Sequence, residues 1–168
     1  MTLEQLLNSA ETILAPWTVG LTRFEGRRLD VVVKRDDLVA CATALVEARW
    51  GYLSAITGLD LPWPKTPPKP ETPPTPPLED QLEVLYHFVE GAAVLTLRVR
   101  LPYSDARVPS ICGPVPTATL YERELGEMFG IEVAGTPVTD RLLLPDDWPD
   151  GVYPLRKSFK GLERPSHQ

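Results

Sequence analysis

The segment LEVLYHFVEGAAVLTLRVRL (residues 82–101) decides the fold, because apolar residues alternate along it on both sides of a turn. Leu82, Val84, Tyr86 and Phe88 occupy every second position before the turn. Successive side chains of a strand point to opposite faces, so this spacing is typical of a half-buried strand. The Glu-Gly pair at 90–91 then reverses the chain, and the alternation resumes over residues 93–101. The segment therefore predicts an antiparallel hairpin with one buried face.

The residues before this hairpin predict two helices and three more strands. Thr2 can cap a first helix that Pro16 ends, and apolar spacing over residues 38–46 predicts a second helix that stops before Gly51. Segments 17–24 and 27–34 are predicted to form a hairpin around residues 25–26, and segment 52–61 a further strand. The order α-β-β-α-β-β-β predicts an α+β fold, a mainly antiparallel sheet with helices packed on one face.

We expect this α+β domain to span residues 1–144, followed by an extended C-terminal tail over residues 145–168. Nine of the 19 prolines fall in the segment 62–77, which is predicted to be an inserted loop of the domain. Proline lacks an amide donor and favours the polyproline II conformation. The segment is therefore either a stiff spacer or a ligand for an aromatic-lined groove.

The composition excludes several classes of protein. The chain has 17 Lys and Arg against 23 Asp and Glu, and this net charge of −6 argues against nucleic-acid binding. Its apolar runs are too short to cross a bilayer, and its first residues do not resemble a signal peptide. Cys41 and Cys112 lack metal-binding spacing, which predicts a reducing, cytosolic compartment. Cys41 is expected in the core, and His87 has no second metal ligand nearby in the sequence.

A third helix is predicted over residues 116–129, with Gly130 as its left-handed terminator. Its Arg123 and Glu127 lie four residues apart and can pair, although an acidic residue after the basic one is the poorer order for such a pair. Catalysis by its glutamates would also need a paired base, a nucleophile or a metal cluster, and the sequence contains none of the corresponding motifs. We therefore expect three glutamates of this helix to be solvated or to face an interface: Glu122, Glu124 and Glu127.

The residues after 144 are predicted to be irregular, because prolines interrupt them and their large apolar side chains follow no period. Residues 154–168 carry a net charge of +3, which leaves −9 for the rest of the chain. A basic segment with spaced apolar side chains and no period of its own is suited to wrapping an acidic neighbour. The tail is therefore expected to dock on a partner protein.

Five ordered blocks occur after residue 120: YERE (121–124), MFGI (128–131), LLLP (142–145), DW (147–148) and PLRK (154–157). Together they resemble the signature of the 30 kDa (C) subunit of respiratory complex I, the proton-pumping NADH:quinone oxidoreductase. The sequence of residues 125–131 also resembles that of related subunits of membrane-bound nickel–iron hydrogenases and formate hydrogenlyases. The residues that the resemblance assigns to the family motif and the subunit interface are Tyr121, Glu122, Arg123, Glu124, Phe129, Gly130, Arg141, Trp148, Pro154, Leu155, Arg156 and Lys157.

The resemblance implies a structural subunit in the hydrophilic arm of a membrane-associated, energy-converting oxidoreductase complex. It implies that this chain has no catalytic residue and binds no metal or cofactor, while partner subunits carry iron–sulfur clusters and, by type, flavin or nickel–iron. The expected partners are a large subunit (49 kDa-like or hydrogenase-like), which the chain clasps beside the quinone or nickel–iron site, and neighbouring iron–sulfur subunits. Membrane contact is then made only through the complex, at the cytoplasmic face. Arg156 and Lys157 are expected to anchor the tail to acidic groups of the neighbour.

Two other functions stay open from the residues alone. The chain could be a free-standing binding module whose polyproline arm (62–77) recruits a partner with a suitable groove. It could also be a small acidic enzyme that uses one of the helical glutamates. The electron donor and acceptor of a partner complex are left open by the sequence.

Overall fold

The computed structural model describes residues 1–24, 26–61 and 81–162, so the proline-rich segment and both interpretations of it lie outside the described residues. The helices are α1 (Leu3–Leu14), α2 (Leu38–Glu47) and α3 (Ala118–Phe129). The strands are β1 (Thr18–Phe24), β2 (Arg28–Val33), β3 (Tyr52–Leu61), β4 (Gln81–Glu90), β5 (Ala93–Pro102), β6 (Arg107–Pro109) and β7 (Glu132–Ala134). This order of helices and strands confirms the α+β prediction.

The predicted hairpin at 82–101 is formed by β4 and β5, which pair without a break from Gln81↔Pro102 to Glu90↔Ala93. The five long strands form one sheet in the order β1-β2-β5-β4-β3. Three of the four strand pairs are antiparallel, and β2 and β5 are parallel neighbours. The mainly antiparallel sheet is therefore confirmed, while a separate parallel pair of β6 and β7 was not anticipated.

The three helices cover one face of this sheet, as predicted. The α1 helix begins with a capping box between Thr2 and Gln5, which satisfies amide donors at its first turn. In α2, Cys41 is fully buried, and burial raises the pKa of its thiol to about 12.

The α3 helix packs on β3, where a Cβ at Gly58 would press into the ring of Phe129. Glycine at this position therefore lets α3 approach the sheet closely.

The opposite face of the sheet carries a line of ion pairs that we call the arginine ladder (Arg28, Asp30, Arg98, Glu83 and Arg100). The Asp30 carboxylate accepts hydrogen bonds from Arg28, at 2.6 and 2.7 Å, and from Arg98, at 3.0 Å. The Glu83 carboxylate accepts bonds from Arg98, at 3.0 and 2.6 Å, and from Arg100, at 3.3 Å. Both carboxylates are almost fully buried, at 2% and 1% exposed, so their charges depend on these arginines.

His87 lies on the same face as the ladder and forms a hydrogen bond between its Nδ1 and Thr96 Oγ1 at 3.1 Å. Burial lowers its pKa, and the nearby positive charge of Arg28 lowers it further. Among the described residues, no three His, Cys, Asp or Glu side chains converge as metal ligands. The helices of this part of the chain are also too short and too polar to cross a membrane.

Candidate functional site

The candidate site consists of α3 and the irregular chain that follows it, where most of the motif residues lie. The helix begins at Ala118, two residues later than predicted, and ends at Phe129. Gly130 follows it and adopts the predicted left-handed conformation with φ +64°. On the sheet side, the Tyr121 hydroxyl donates a hydrogen bond to the Ser54 carbonyl of β3, at 2.8 Å. The first residue of the YERE block therefore joins α3 to the edge of the sheet.

Glu122 is buried, with 2% of its surface exposed, so of the two environments expected for it, solvent or an interface, the structure excludes solvent. Its carboxylate accepts hydrogen bonds from the Ile111 amide at 2.7 Å, the Ser110 hydroxyl at 2.8 Å and the Cys112 thiol at 3.1 Å. These three donors come from a loop that precedes α3, and they compensate the cost of burying the carboxylate. Glu122 therefore holds this loop against the helix.

Arg123 and Glu127 bind the backbone of a later loop rather than each other, so the ion pair that their spacing allows does not form. Arg123 donates to the carbonyl oxygens of Asp140 and Arg141, at 2.9 and 2.8 Å. The Glu127 carboxylate accepts from the amide of Leu142 and, at 2.8 Å, from the amide of Leu143. Unpaired backbone groups in an irregular segment offer these charged side chains several donors and acceptors, whereas an exposed helical ion pair stabilises little.

Arg141 and Trp148 fold the next part of the chain into a compact turn. The Arg141 guanidinium donates to three carbonyl oxygens, of residues 145, 146 and 148, and to the Asp150 carboxylate. The Trp148 indole donates to the Val152 carbonyl at 2.8 Å, and its ring lies 6.0 Å from that of Phe159. No helix or strand is assigned over residues 145–162, which confirms that this part of the tail is irregular.

The PLRK block is hydrogen-bonded to the end of α3 and to β3. The Leu155 amide donates to the Met128 carbonyl at 3.1 Å, and Arg156 Nε donates to the Phe129 carbonyl at 2.6 Å. The Lys157 amide donates to the buried Asp60 carboxylate at 2.6 Å. The described tail residues are therefore attached to their own domain.

The two basic side chains of this block face different environments. The Arg156 guanidinium lies over the Tyr103 ring, 4.5 Å from its centre, and burial lowers its pKa. The Lys157 side chain is exposed. Docking of the tail on a partner stays a prediction, as does a domain boundary at residue 144, and Lys157 is the better placed of the two for such a contact.

Sequence reasoning missed two groups that position the tail. Asp60 interrupts the apolar end of β3, and this position in a strand was the available signal for a buried anchor. The Tyr153 ring lies so close to Gly130 that a Cβ there would overlap it. Of the YERE block, Glu124 is exposed and, within the described residues, its side chain forms no hydrogen bond or ion pair. Most charged side chains of the site therefore form hydrogen bonds with backbone groups and fix the conformation of the loops.

This arrangement defines an α+β domain with an ordered, irregular C-terminal extension, and solved structures share the fold. A chain of the membrane-bound sulfane sulfur reductase, an archaeal respiratory membrane complex, matches with a TM-score of 0.69 over 95% of this chain and 86% of its own, at 24% identity. The trypsin-resistant fragment (1–134) of Nqo5 matches with a TM-score of 0.54 over 82% of this chain and 99% of its own, at 25% identity.

The family model of the respiratory-chain NADH dehydrogenase 30 kDa subunit matches residues 31–165, so the chain belongs to this family of oxidoreductase-complex subunits. It is 32% identical over 133 residues to the C subunit of the NADH-quinone oxidoreductase of Moorella thermoacetica, covering 77% of this chain and 78% of that protein. It is 44% identical over 73 residues to formate hydrogenlyase subunit 5 of Escherichia coli (strain K12). That match covers 43% of this chain and spans only 13% of the relative.

Proposed function

We propose that this chain is a non-catalytic structural subunit in the hydrophilic arm of a membrane-associated, energy-converting oxidoreductase complex. The complex is of the NADH:quinone or the membrane-bound nickel–iron hydrogenase type. In this proposal the chain clasps the large subunit beside its quinone or nickel–iron site and also contacts iron–sulfur subunits. It binds no cofactor itself and reaches the cytoplasmic face of the membrane through the complex.

The observation that carries this proposal is the use made of the motif side chains. Glu122, Arg123, Glu127 and Arg141 each bind groups of this chain's own loops, mostly backbone amides and carbonyls. A general acid or base must instead reach the proton of a substrate. Side chains that hold the chain's own loops in place fit a structural role better than a catalytic one. Glu124 and Lys157 remain exposed for contacts with partners.

Co-purification tests the proposal directly. The full chain, tagged and expressed in its native host, is expected to bring down a large subunit of the hydrogenase or quinone type together with iron–sulfur subunits, identified by mass spectrometry. Lys157→Glu should weaken this association and lower its sensitivity to salt, because the exposed side chain changes sign while the amide that binds Asp60 is kept. Lys34→Glu, at an exposed position before α2, is the matched control.

Two results would contradict this assignment. Recovery of the chain without any oxidoreductase subunit would refute the function. Equal association of wild type, Lys157→Glu and Lys34→Glu would refute the electrostatic role of the tail and leave the function standing.

The alternative function, a binding module that uses the polyproline segment, rests on the nine prolines of residues 62–77. Excision of this segment separates the two proposals. Association with the large subunit should survive the excision if the chain is a structural subunit of the complex. It should be lost if the polyproline arm recruits the partner, and that loss would favour the alternative.

A further inference from the structure

The loop that follows β7 presents two leucines to solvent, and we call residues 140–144 the leucine loop. Leu142 is 36% exposed and Leu143 is 59% exposed. The third leucine of the loop, Leu144, packs against the core instead. Exposed leucines are common on proteins when they occur singly, whereas adjacent ones on an ordered loop are a feature of interaction surfaces.

The backbone of the leucine loop is hydrogen-bonded to two side chains of α3. Arg123 binds the carbonyls of Asp140 and Arg141, and Glu127 binds the amides of Leu142 and Leu143. Four consecutive residues are therefore fixed by two charged side chains. A loop already fixed in one conformation loses little entropy when it binds, which strengthens binding without any additional contact.

The surroundings of the leucine loop are acidic. Three exposed carboxylates lie in the loop or just after it: Asp140, Asp146 and Asp147. Within the described part of the chain, none of the three forms an ion pair with its side chain. The basic side chain of the loop, Arg141, is directed to its own backbone and to Asp150. Arg123 adds one positive charge at the loop and Glu127 one negative charge, so the charge around the two leucines is negative on balance.

We infer that the leucine loop docks into an apolar pocket of the large subunit that is rimmed by arginine or lysine. The leucines supply the buried apolar contact, and the surrounding carboxylates select a basic rim by charge complementarity. This inference rests on the proposed function and adds the chemistry of the partner surface. The leucine loop and the basic tail would therefore bind different surfaces, a basic one for the loop and an acidic one for the tail.

The test uses the full chain in its complex, with two pairs of substitutions of similar exposure. Leu142→Ala with Leu143→Ala should weaken association with the large subunit about tenfold or more, because two central apolar contacts are lost. Val19→Ala with Leu21→Ala is the control, since these β1 residues are 62% and 41% exposed and lie far along the sheet from α3. Both variants should melt at nearly the wild-type temperature, because their truncated side chains are exposed.

The charged rim is tested separately. Asp146→Lys with Asp147→Lys should slow association with the large subunit, because attraction to a basic rim becomes repulsion. Added salt should then slow association less than it does for wild type. A photoreactive amino acid at position 143 should cross-link to a segment of the large subunit that contains apolar residues flanked by arginine or lysine.

The outcomes distinguish this inference from the proposed function. If wild type binds the large subunit and the leucine and aspartate variants bind equally well, the inference is overturned and the function stands. A cross-link from position 143 to a second copy of this chain would also overturn it. If wild type associates with no oxidoreductase subunit, the proposed function itself fails.

Discussion

Arg98→Met is expected to lower the free energy of unfolding by about 3–5 kcal/mol. Arg98 is the one arginine of the ladder that binds both buried carboxylates, Asp30 and Glu83. The hydrogen bond to Glu83 is the largest cause of its raised pKa. Methionine fills similar space but leaves each carboxylate with a single arginine partner, so buried negative charge is only partly compensated. Urea unfolding followed by circular dichroism measures the loss.

Arg100→Met is the matched control for this experiment. Arg100 is more exposed and makes one bond to Glu83, at 3.3 Å, so its loss should cost about 1 kcal/mol or less. Adding Asp30→Asn and Glu83→Gln to Arg98→Met should restore part of the stability, because the uncompensated charges are then absent. Equal effects of Arg98→Met and Arg100→Met would show that the ladder does not depend on its central arginine.

Gly130→Ala is expected to destabilise the chain by about 2–4 kcal/mol and to release the start of the tail. The residue has a φ of +64°, which costs an L-amino acid about 1–2 kcal/mol. The new methyl group would also overlap the Tyr153 ring, and overpacking of this kind costs about 1–3 kcal/mol. Because Leu155 and Arg156 bind the carbonyls just before Gly130, moving Tyr153 should weaken these bonds too.

Gly135→Ala separates the two contributions, since Gly135 has a φ of +83° and open space where its Cβ would lie. This substitution should lower the free energy of unfolding by about 1–2 kcal/mol, the cost of placing alanine at a positive φ. Limited proteolysis should cut the tail after Gly130→Ala faster than after Gly135→Ala. Equal stability loss and equal cleavage in the two variants would mean that the contact of Tyr153 with Gly130 does not hold the tail.

Local patterns were sufficient to predict the five long strands and the helices. The alternation over residues 82–101 predicted β4 and β5, and Thr2 and Gly130 marked the ends of helices correctly. The parallel pairing of β2 with β5 could not be predicted in this way, because it joins strands that are about 60 residues apart and no local pattern encodes such a neighbour. The same reason explains why the pairing of β6 with β7 was missed.

The site was predicted as a set of residues, but their contacts were not. Helical spacing placed Arg123 and Glu127 side by side, whereas both bind a loop 15 to 18 residues further along the chain. Glu122 was expected in solvent or at an interface because the sequence contains no catalytic partner for it, but donors from residues 110–112 bind it. In each instance, the deciding partners belong to a loop distant in sequence, and their positions depend on the path of the whole chain.

The sequence by itself determined the fold class, the ends of the main helices and the family, because these depend on periodicity, capping residues and ordered motifs that can be read along the chain. Only the tertiary structure decided that Asp30 and Glu83 share Arg98, that Asp60 receives the tail, and which leucines stay exposed. The physical reason is that a buried charge or an irregular loop is stabilised by groups distant in sequence. Those groups meet only once the sheet and helices have packed.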